Sequence, residues 1–406
     1  MKHIAKFIIV FYLSLTSCKE VPQIDSKELK VIDVAGGVGK SRQVYLSEIA
    51  DTIDYIPLET TPASLLTNPS HERILYEKGI LNFTQKNGQI KLFNSKGEYI
   101  STLNKLGRGP QEYETLGIIH IDNASENIII KSINKIVEYS LSGKFIRTII
   151  LPTPNMIENI VIRYFLKLGD RYFFCGSVTN PVIITDSSLN VIKKLKYPLE
   201  ELDFVEIIKN SSPSLVTPYI YLYKDRIRLI NGINKYVLSI DKDLSVDTVF
   251  IIDYGKYSPE NNKSGSRYPN NSPYLWRYRY FFESNNYLFM RFHIGSLSDK
   301  LYKMLNEDSG REWIDPNACA LFNKETEEFT FLDQPEINQI GFVDDIEGGP
   351  GIWPKYVSAD NYMISYIPAD EFIAYAENHK VSEKFITIAA GLKDTDNYVF
   401  VRVKLK

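Results

Sequence analysis

The sequence predicts an all-β chain built from a repeated radial unit, on three observations. Its aromatic content is high, with 27 Tyr and 21 Phe, and its apolar runs are rich in Ile and Val, residues that suit a pleated surface better than a helix. One short pattern of strand, polar turn and strand returns about every 45 residues, and internal repetition at such a period marks a repeat architecture. The two clearest turns close on Gly, which supplies the positive φ of a tight hairpin. Two outer strands in a hairpin plus inner strands, repeated at this spacing, match the four-stranded antiparallel blades of a β-propeller.

Taken in order, the chain opens with Lys2 and Lys6, an apolar run from Phe7 to Leu15, and then Leu15-Thr16-Ser17-Cys18. A short basic stretch, an apolar stretch of secretory length and small residues before a cysteine are the parts of a signal peptide. The run is too short to span a bilayer. Its last four residues resemble a lipobox, in which the cysteine is acylated and becomes the first residue of the mature chain. Each buried CH2 of an acyl chain adds about 0.8 kcal/mol, so two or more chains anchor a protein stably. This gives a lipoprotein signal peptide at 1–17, a lipid-anchored tether at 18–44 and a propeller domain at 45–406. The protein is then expected in the cell envelope, on the periplasmic face or the cell surface of the outer membrane. The competing reading is an ordinary cleaved signal with an incidental Cys18.

The first hairpin copy is Ile90-Lys91-Leu92-Phe93-Asn94-Ser95-Lys96-Gly97-Glu98-Tyr99-Ile100, and the second, 46 positions on, runs from Ile136 to Ile146 through Gly143. Degenerate copies follow at Val182 to Leu195, Tyr236 to Ile251 and Ala320 to Leu332. Between them lie strand candidates at Asn127 to Lys131, Arg171 to Cys175, Arg226 to Ile230, Tyr287 to Phe292, Tyr362 to Tyr366 and Tyr398 to Leu405. Two insertions interrupt the pattern: Gly255 to Pro273, dense in Asn, Ser, Pro, Gly and Tyr, and Ser298 to Pro316. The first has the length of a functional surface loop. One short helix is predicted at Ala369 to Asn378, where Pro368 and Asp370-Glu371 start an apolar stripe of Phe372, Ile373, Tyr375 and Ala376. It is expected to pack on the last blade.

Leu106-Gly107-Arg108-Gly109-Pro110-Gln111-Glu112-Tyr113, the opening strand Asp54-Tyr55-Ile56-Pro57-Leu58-Glu59-Thr60, the late motif Asp344-Asp345-Ile346-Glu347-Gly348-Gly349-Pro350 with Trp353-Pro354, and the closing Asp394 to Val401 stretch resemble a family of six-bladed β-propeller lipoproteins abundant in Bacteroidetes. Tyr398 stands where that family commonly has proline. The resemblance spans roughly residues 45 to 406 by repeat and motif order. It implies fold and envelope location but no activity, the family being largely uncharacterised. Six blades also fit the count of hairpins, five visible and a sixth completed if Ile53 to Leu58 pairs with Tyr398 to Leu405, closing the ring without an exposed edge.

A net charge of −3 spread along the chain excludes the clustered positive face that nucleic acid requires. Beyond Cys18, Cys175 and Cys319 sit within or beside apolar runs and read as buried thiols, a bridge between them being undecidable from spacing. In the Gly107 to Tyr113 motif, no P-loop lysine follows the glycines, so the segment reads as a turn with Arg108 and Glu112 pairing between blades; the functional alternative puts Arg108 at the channel mouth, holding a carboxylate. Asp344, Asp345 and Glu347 are weak candidates for a Ca2+ site, lacking the spacing of an EF-hand; no other metal or cofactor is expected. His71, His120, His293 and His379 show no zinc spacing, and no Gly-x-Ser-x-Gly elbow occurs.

The most suggestive stretch is Tyr274 to Phe282. Strand alternation puts Trp276, Tyr278, Tyr280 and Phe282 on one face and Arg277, Arg279 and Phe281 on the other. Exposed, that face is a stacking platform for sugar rings; buried, it is an aromatic blade interface. The favoured function is a membrane-anchored binding or scaffold propeller for a glycan, peptide or envelope protein partner, with no catalytic residues assigned. The alternative is an envelope hydrolase or lyase in the central channel, drawing on Arg108, His120, His293 and the 344–347 acids. Clustering of those groups around one pocket separates the two.

Overall fold

The structure is a computed structural model and describes residues 29–66, 73–84, 87–154, 156–158, 160–176, 182–195, 218–230, 235–258, 261, 273–306 and 309–406; for residues 73 and 278–280 it describes the backbone alone. The expected signal peptide, Cys18 and the tether up to residue 28 lie outside those residues, as does most of the 255–273 insertion.

Six antiparallel blades form a closed six-bladed ring, as the repeats predict. Their inner strands are Arg73–Glu77, Ile118–Asp122, Tyr164–Leu168, Tyr219–Tyr223, Trp276–Glu283 and Tyr356–Val357, for blades 1 to 6 in that order. The second strands, such as Asn127–Lys131 and Arg171–Cys175, read as continuous apolar runs because both of their faces pack against neighbouring blades. Ile128, Ile129 and Ile130 are all fully buried. The five hairpin copies form the outer strand pairs of blades 1 to 5. Gly97 and Gly143 turn with φ of +84° and +78°, whereas the degenerate copies use Leu189 and Leu244 in the same left-handed region.

Blade 6 closes the ring. Its outermost strand is the N-terminal Ala50–Pro57, which pairs with Val399–Leu405 from Ile53 opposite Val403 to Pro57 opposite Val399. The expected closure is therefore present, with the N-terminal strand beginning three residues earlier than the sequence indicates.

Three parts differ from expectation. Residues 30–44, expected as tether, are a strap around the outside of the ring. Lys30–Asp33 adds in parallel to the outer strand of blade 4, Arg42 bridges to Leu332 and Tyr45 to Val343, and Ile32, Val34 and Val44 are fully buried. Two one-turn helices, α1 (Val34–Gly37) and α2 (Leu46–Ile49), lie within and just beyond this strap. Second, the predicted helix α3 (Ala369–Asn378) is followed by an unpredicted α4 (Glu383–Ala390), capped by the Ser382 hydroxyl, which accepts from Phe385 N–H. Phe372 of α3 stacks on Phe385 of α4 at 3.9 Å, and Tyr55 of blade 6 meets both rings edge-on. Third, the 298–316 insertion, to which the sequence assigns no strands, folds into a hairpin of Tyr302–Asn306 with Arg311–Asp315.

Candidate functional site

The inner strands of all six blades line one cavity of about 220 Å³ along the axis of the ring. Its wall is asymmetric. On blades 3 to 5 it is aromatic: Tyr164 meets Tyr219 edge-on at 5.1 Å, Tyr219 stacks on Tyr221 at 5.8 Å, and Tyr221 lies 5.6 Å from Phe281. On blades 6, 1 and 2 it is mixed, with Leu75, Ile119 and Val357 beside a hydrogen-bonding group of Tyr356, Glu77 and Asn123.

Two carboxylates are buried in this wall, each on the last residue of an inner strand. Glu77 accepts from Tyr356 Oη at 2.6 Å, Asn123 Nδ2 at 3.0 Å and Ala359 N at 3.1 Å. All three donors are neutral, and among the described residues no Lys or Arg pairs with it. Burial pushes the Glu77 carboxyl above its ordinary value; its three hydrogen bonds oppose the shift and the nearby Asp360 adds to it. Glu283 accepts from Tyr221 Oη at 2.9 Å, Arg228 Nε at 3.0 Å and Lys324 Nζ at 3.1 Å. Lys324 Nζ also donates to Tyr223 Oη and the Ser284 carbonyl, at 3.0 and 2.7 Å. The second seat thus sets two cations against one anion.

His120 of blade 2 also lines the cavity. Its Nε2 lies 3.1 Å from the Lys167 carbonyl and must donate to it, and burial pulls its pKa down to about 4 against the charge of Asp122. The imidazole is neutral at physiological pH with one nitrogen committed.

The residues singled out in sequence fall elsewhere. Trp276 is buried, at 6% exposure, and stacks face to face on His293 at 3.9 Å; Arg277 is buried with its guanidinium 5.9 Å from the Phe281 ring. Two extra residues bulge from this strand between Arg277, which pairs with Phe292, and Phe281, which pairs with Met290, yet the expected alternation holds at the described side chains: Trp276 and Phe282 share one face, Arg277 and Phe281 the other. Trp276 packs in the blade interior against His293, whereas Phe281 and Phe282, nearer the end of the strand, both line the channel. The side chains of Tyr278 and Tyr280 lie outside the described residues.

Arg108 is exposed and does not pair with Glu112, whose carboxylate accepts from Gly109 N–H at 2.8 Å. The surrounding 106–113 segment is a clasp between blades 1 and 2. Tyr113 Oη donates to the Gly88 carbonyl, Tyr139 Oη to that of Gln111, and Lys135 Nζ to that of Gly109. The three late acids point to separate partners. Asp344 accepts from Tyr55 Oη at 2.7 Å and Gly349 N at 2.8 Å, Asp345 from Ser47, and Glu347 from Ser382 and Lys384. Among the described residues no group of three or more His, Cys, Asp or Glu is disposed to hold a metal. Cys175 and Cys319 are free and buried, and burial pushes the Cys319 thiol up to about 12. Of the groups named for a hydrolase or lyase, His120 alone lines the channel.

Glu77 and Glu283 were missed because neither stands in a recognisable motif. A signal did exist: Glu77 and Asn123 are 46 positions apart, the displacement of the hairpin repeat itself. Glu77 ends the inner strand of blade 1 and Asn123 directly follows that of blade 2, so polar residues about one repeat apart at inner-strand ends mark a channel.

A closed ring of six four-stranded blades around a lined axial cavity defines a β-propeller. The match to a family model covers residues 29–404, and the chain belongs to that family, described as Domain of unknown function (DUF4934). Among solved structures, the chain is similar to a Bacteroides fragilis protein described as exported, at 15% identity and TM-score 0.62, covering 93% of this chain and 99% of that one. It is also similar to a member of the DUF4221 family from Bacteroides vulgatus, at 12% identity and TM-score 0.45, covering 88% and 97%. A virginiamycin B lyase from Staphylococcus aureus matches at 12% identity and TM-score 0.38, covering 72% and 77%, a likeness too distant to bear on function. No curated protein matches the chain.

Proposed function

We propose that this protein is an exported, lipid-anchored binding propeller that takes its ligand in the central channel. The observation that carries the reading is the cavity, to which six inner strands contribute an aromatic wall and a hydrogen-bonding wall, the make-up of a small-molecule site. The titratable groups around it are held by neighbours: Glu77 and Glu283 each accept three or more hydrogen bonds, and His120 donates to a carbonyl. General acid–base chemistry wants a group within reach of a substrate proton and poised near the working pH, and His120, which lines the cavity, is drawn to about 4 and fails the second condition. Binding is favoured over the hydrolase or lyase alternative on that ground. The aromatic contact expected of Trp276 is supplied instead by Tyr164, Tyr219, Tyr221 and Phe281. Export and acylation at Cys18 rest on the signal-like N-terminus, and likeness to a Bacteroides protein described as exported accords with the envelope location.

A thermal-shift screen of the chain against oligosaccharides, short peptides and small polar organic molecules tests the reading. A ligand at 100 times its Kd adds about 2.7 kcal/mol of stability. A shift that disappears in Tyr219→Ala supports the channel. One that survives Tyr219→Ala and Tyr164→Ala places the ligand elsewhere. Metabolic labelling with an alkynyl fatty acid, present in the wild type and lost in Cys18→Ser, tests the anchor.

A further inference from the structure

We propose that the ligand of the channel carries a positive charge, an organic ammonium or guanidinium group, and that Glu77 and Asn123 form its seat. The inference rests on the channel-binding reading and specifies the ligand's chemistry.

The charges at and just behind the channel wall are divided between its sides. On the side of blades 4 and 5, Arg228 and Lys324 surround Glu283, and Lys224 Nζ stands 5.2 Å from the Tyr223 ring, so positive charge is in excess. On the side of blades 6, 1 and 2, Glu77 is held by neutral donors and Asp360 adds negative charge. Asn123, which lines the same cavity, donates its amide nitrogen to Glu77, and its Oδ1 is buried without a hydrogen-bond partner. A carboxylate without a counter-ion and an orphaned carbonyl oxygen therefore adjoin on one wall, and both are acceptors. A buried acceptor left unmade costs about 1–3 kcal/mol, more when charged, so a donor that satisfies both is favoured. Anions and neutral acceptors do not meet that demand. An N–H cation does, with its apolar part against the facing tyrosines, whose ring faces also favour a positive charge.

The test uses three probes that share one phenol ring: tyramine, which is cationic, 4-ethylphenol, which is neutral, and 3-(4-hydroxyphenyl)propanoate, which is anionic. Isothermal titration of each into the full chain at pH 7.5 is expected to rank tyramine first by about tenfold or more in Kd. Glu77→Gln, which keeps the shape of the side chain, is expected to erase that preference, and Asn123→Ala to weaken tyramine while leaving 4-ethylphenol unchanged. Should Glu77→Gln fail to fold, Asn123→Ala decides. Equal or tighter binding of the neutral or anionic probe overturns the cation assignment. If none of the three binds but another compound gives a Tyr219-dependent shift, the assignment falls and the channel reading stands; if nothing binds in the channel, both fall.

Discussion

Glu77 and Glu283 end the inner strands of blades 1 and 5, are 4% and 8% exposed, and adjoin the same cavity, yet their surroundings differ in kind. Glu283 is cross-linked by Arg228 and Lys324 and binds blade 4 to blade 5. Glu77 receives a phenol, an amide and a backbone N–H from blades 6 and 2 and, among the described residues, pairs with no Lys or Arg. Position in the repeat therefore does not decide the role of a buried acid; the charge of its partners does. A compensated carboxylate is structural, and an uncompensated one is available to a ligand.

The largest effect that sharpens this contrast is expected at Glu283. Glu283→Gln leaves two cations buried without a counter-charge, and breaking a buried pair from one side costs about 3–5 kcal/mol. Urea unfolding at pH 7.5 should show that loss, while Glu77→Gln at the same pH should be neutral or stabilising. Equal losses would break the comparison. Next, Tyr356→Phe removes a hydrogen bond to the charged Glu77 and is expected to cost about 1.5–3 kcal/mol by the same measurement.

Third comes the pH dependence. Glu77 has a carboxyl raised in the folded state, so its contribution is fully present below the ordinary carboxylate range and is lost as pH rises through the raised value. The stability of Glu77→Gln relative to wild type should therefore grow across that window. His120 acts in the opposite sense. Its pKa falls from 6.5 to about 4 on folding, so stability is lost as pH drops from 6.5 toward 4, and His120→Asn should flatten that limb of the curve. The smallest effect is expected at the exposed Lys224, where Lys224→Gln should change stability by no more than about 0.5 kcal/mol in the same unfolding measurement.

The ring was legible because its signals are local. Asn94-Ser95-Lys96-Gly97 and Ser140-Leu141-Ser142-Gly143 carry their turn chemistry within four residues, and apolar second strands such as Arg171 to Cys175 show their burial on both faces directly. Copies turning at Leu189 and Leu244 were visible through strand pattern despite lacking glycine. The helix α4 was missed because it is short and leaves Ile386 exposed, which blurs the apolar stripe. The strap at 30–44 was missed because its buried residues, Ile32, Val34 and Val44, are scattered among Gly and polar residues. The site was hidden for a different reason. Tyr356 and Ala359 reach Glu77 from 279 and 282 positions away, so the seat exists only once the ring is closed. The aromatic stretch at 274–282 drew attention because it is dense, but alternation does not say which part of an inner strand meets the axis: Trp276 is buried against His293, while Phe281 and Phe282 line the cavity.

The pairing of Ala50–Pro57 with Val399–Leu405 also dictates an order of assembly. Synthesis runs from the N-terminus, so this strand emerges early and its partner late. Until they meet, the intervening blades form an open crescent with an unpaired edge at each end, the kind of species that joins the wrong chain. The entropy of bringing such distant segments together grows slowly with length, so the demand falls on time rather than on stability. Lys406 N–H donates to the Ile49 carbonyl at 3.0 Å, extending the seam past the final strand. Removing the C-terminal strand would therefore not trim a tail; it would leave a finished crescent with no means of becoming a ring.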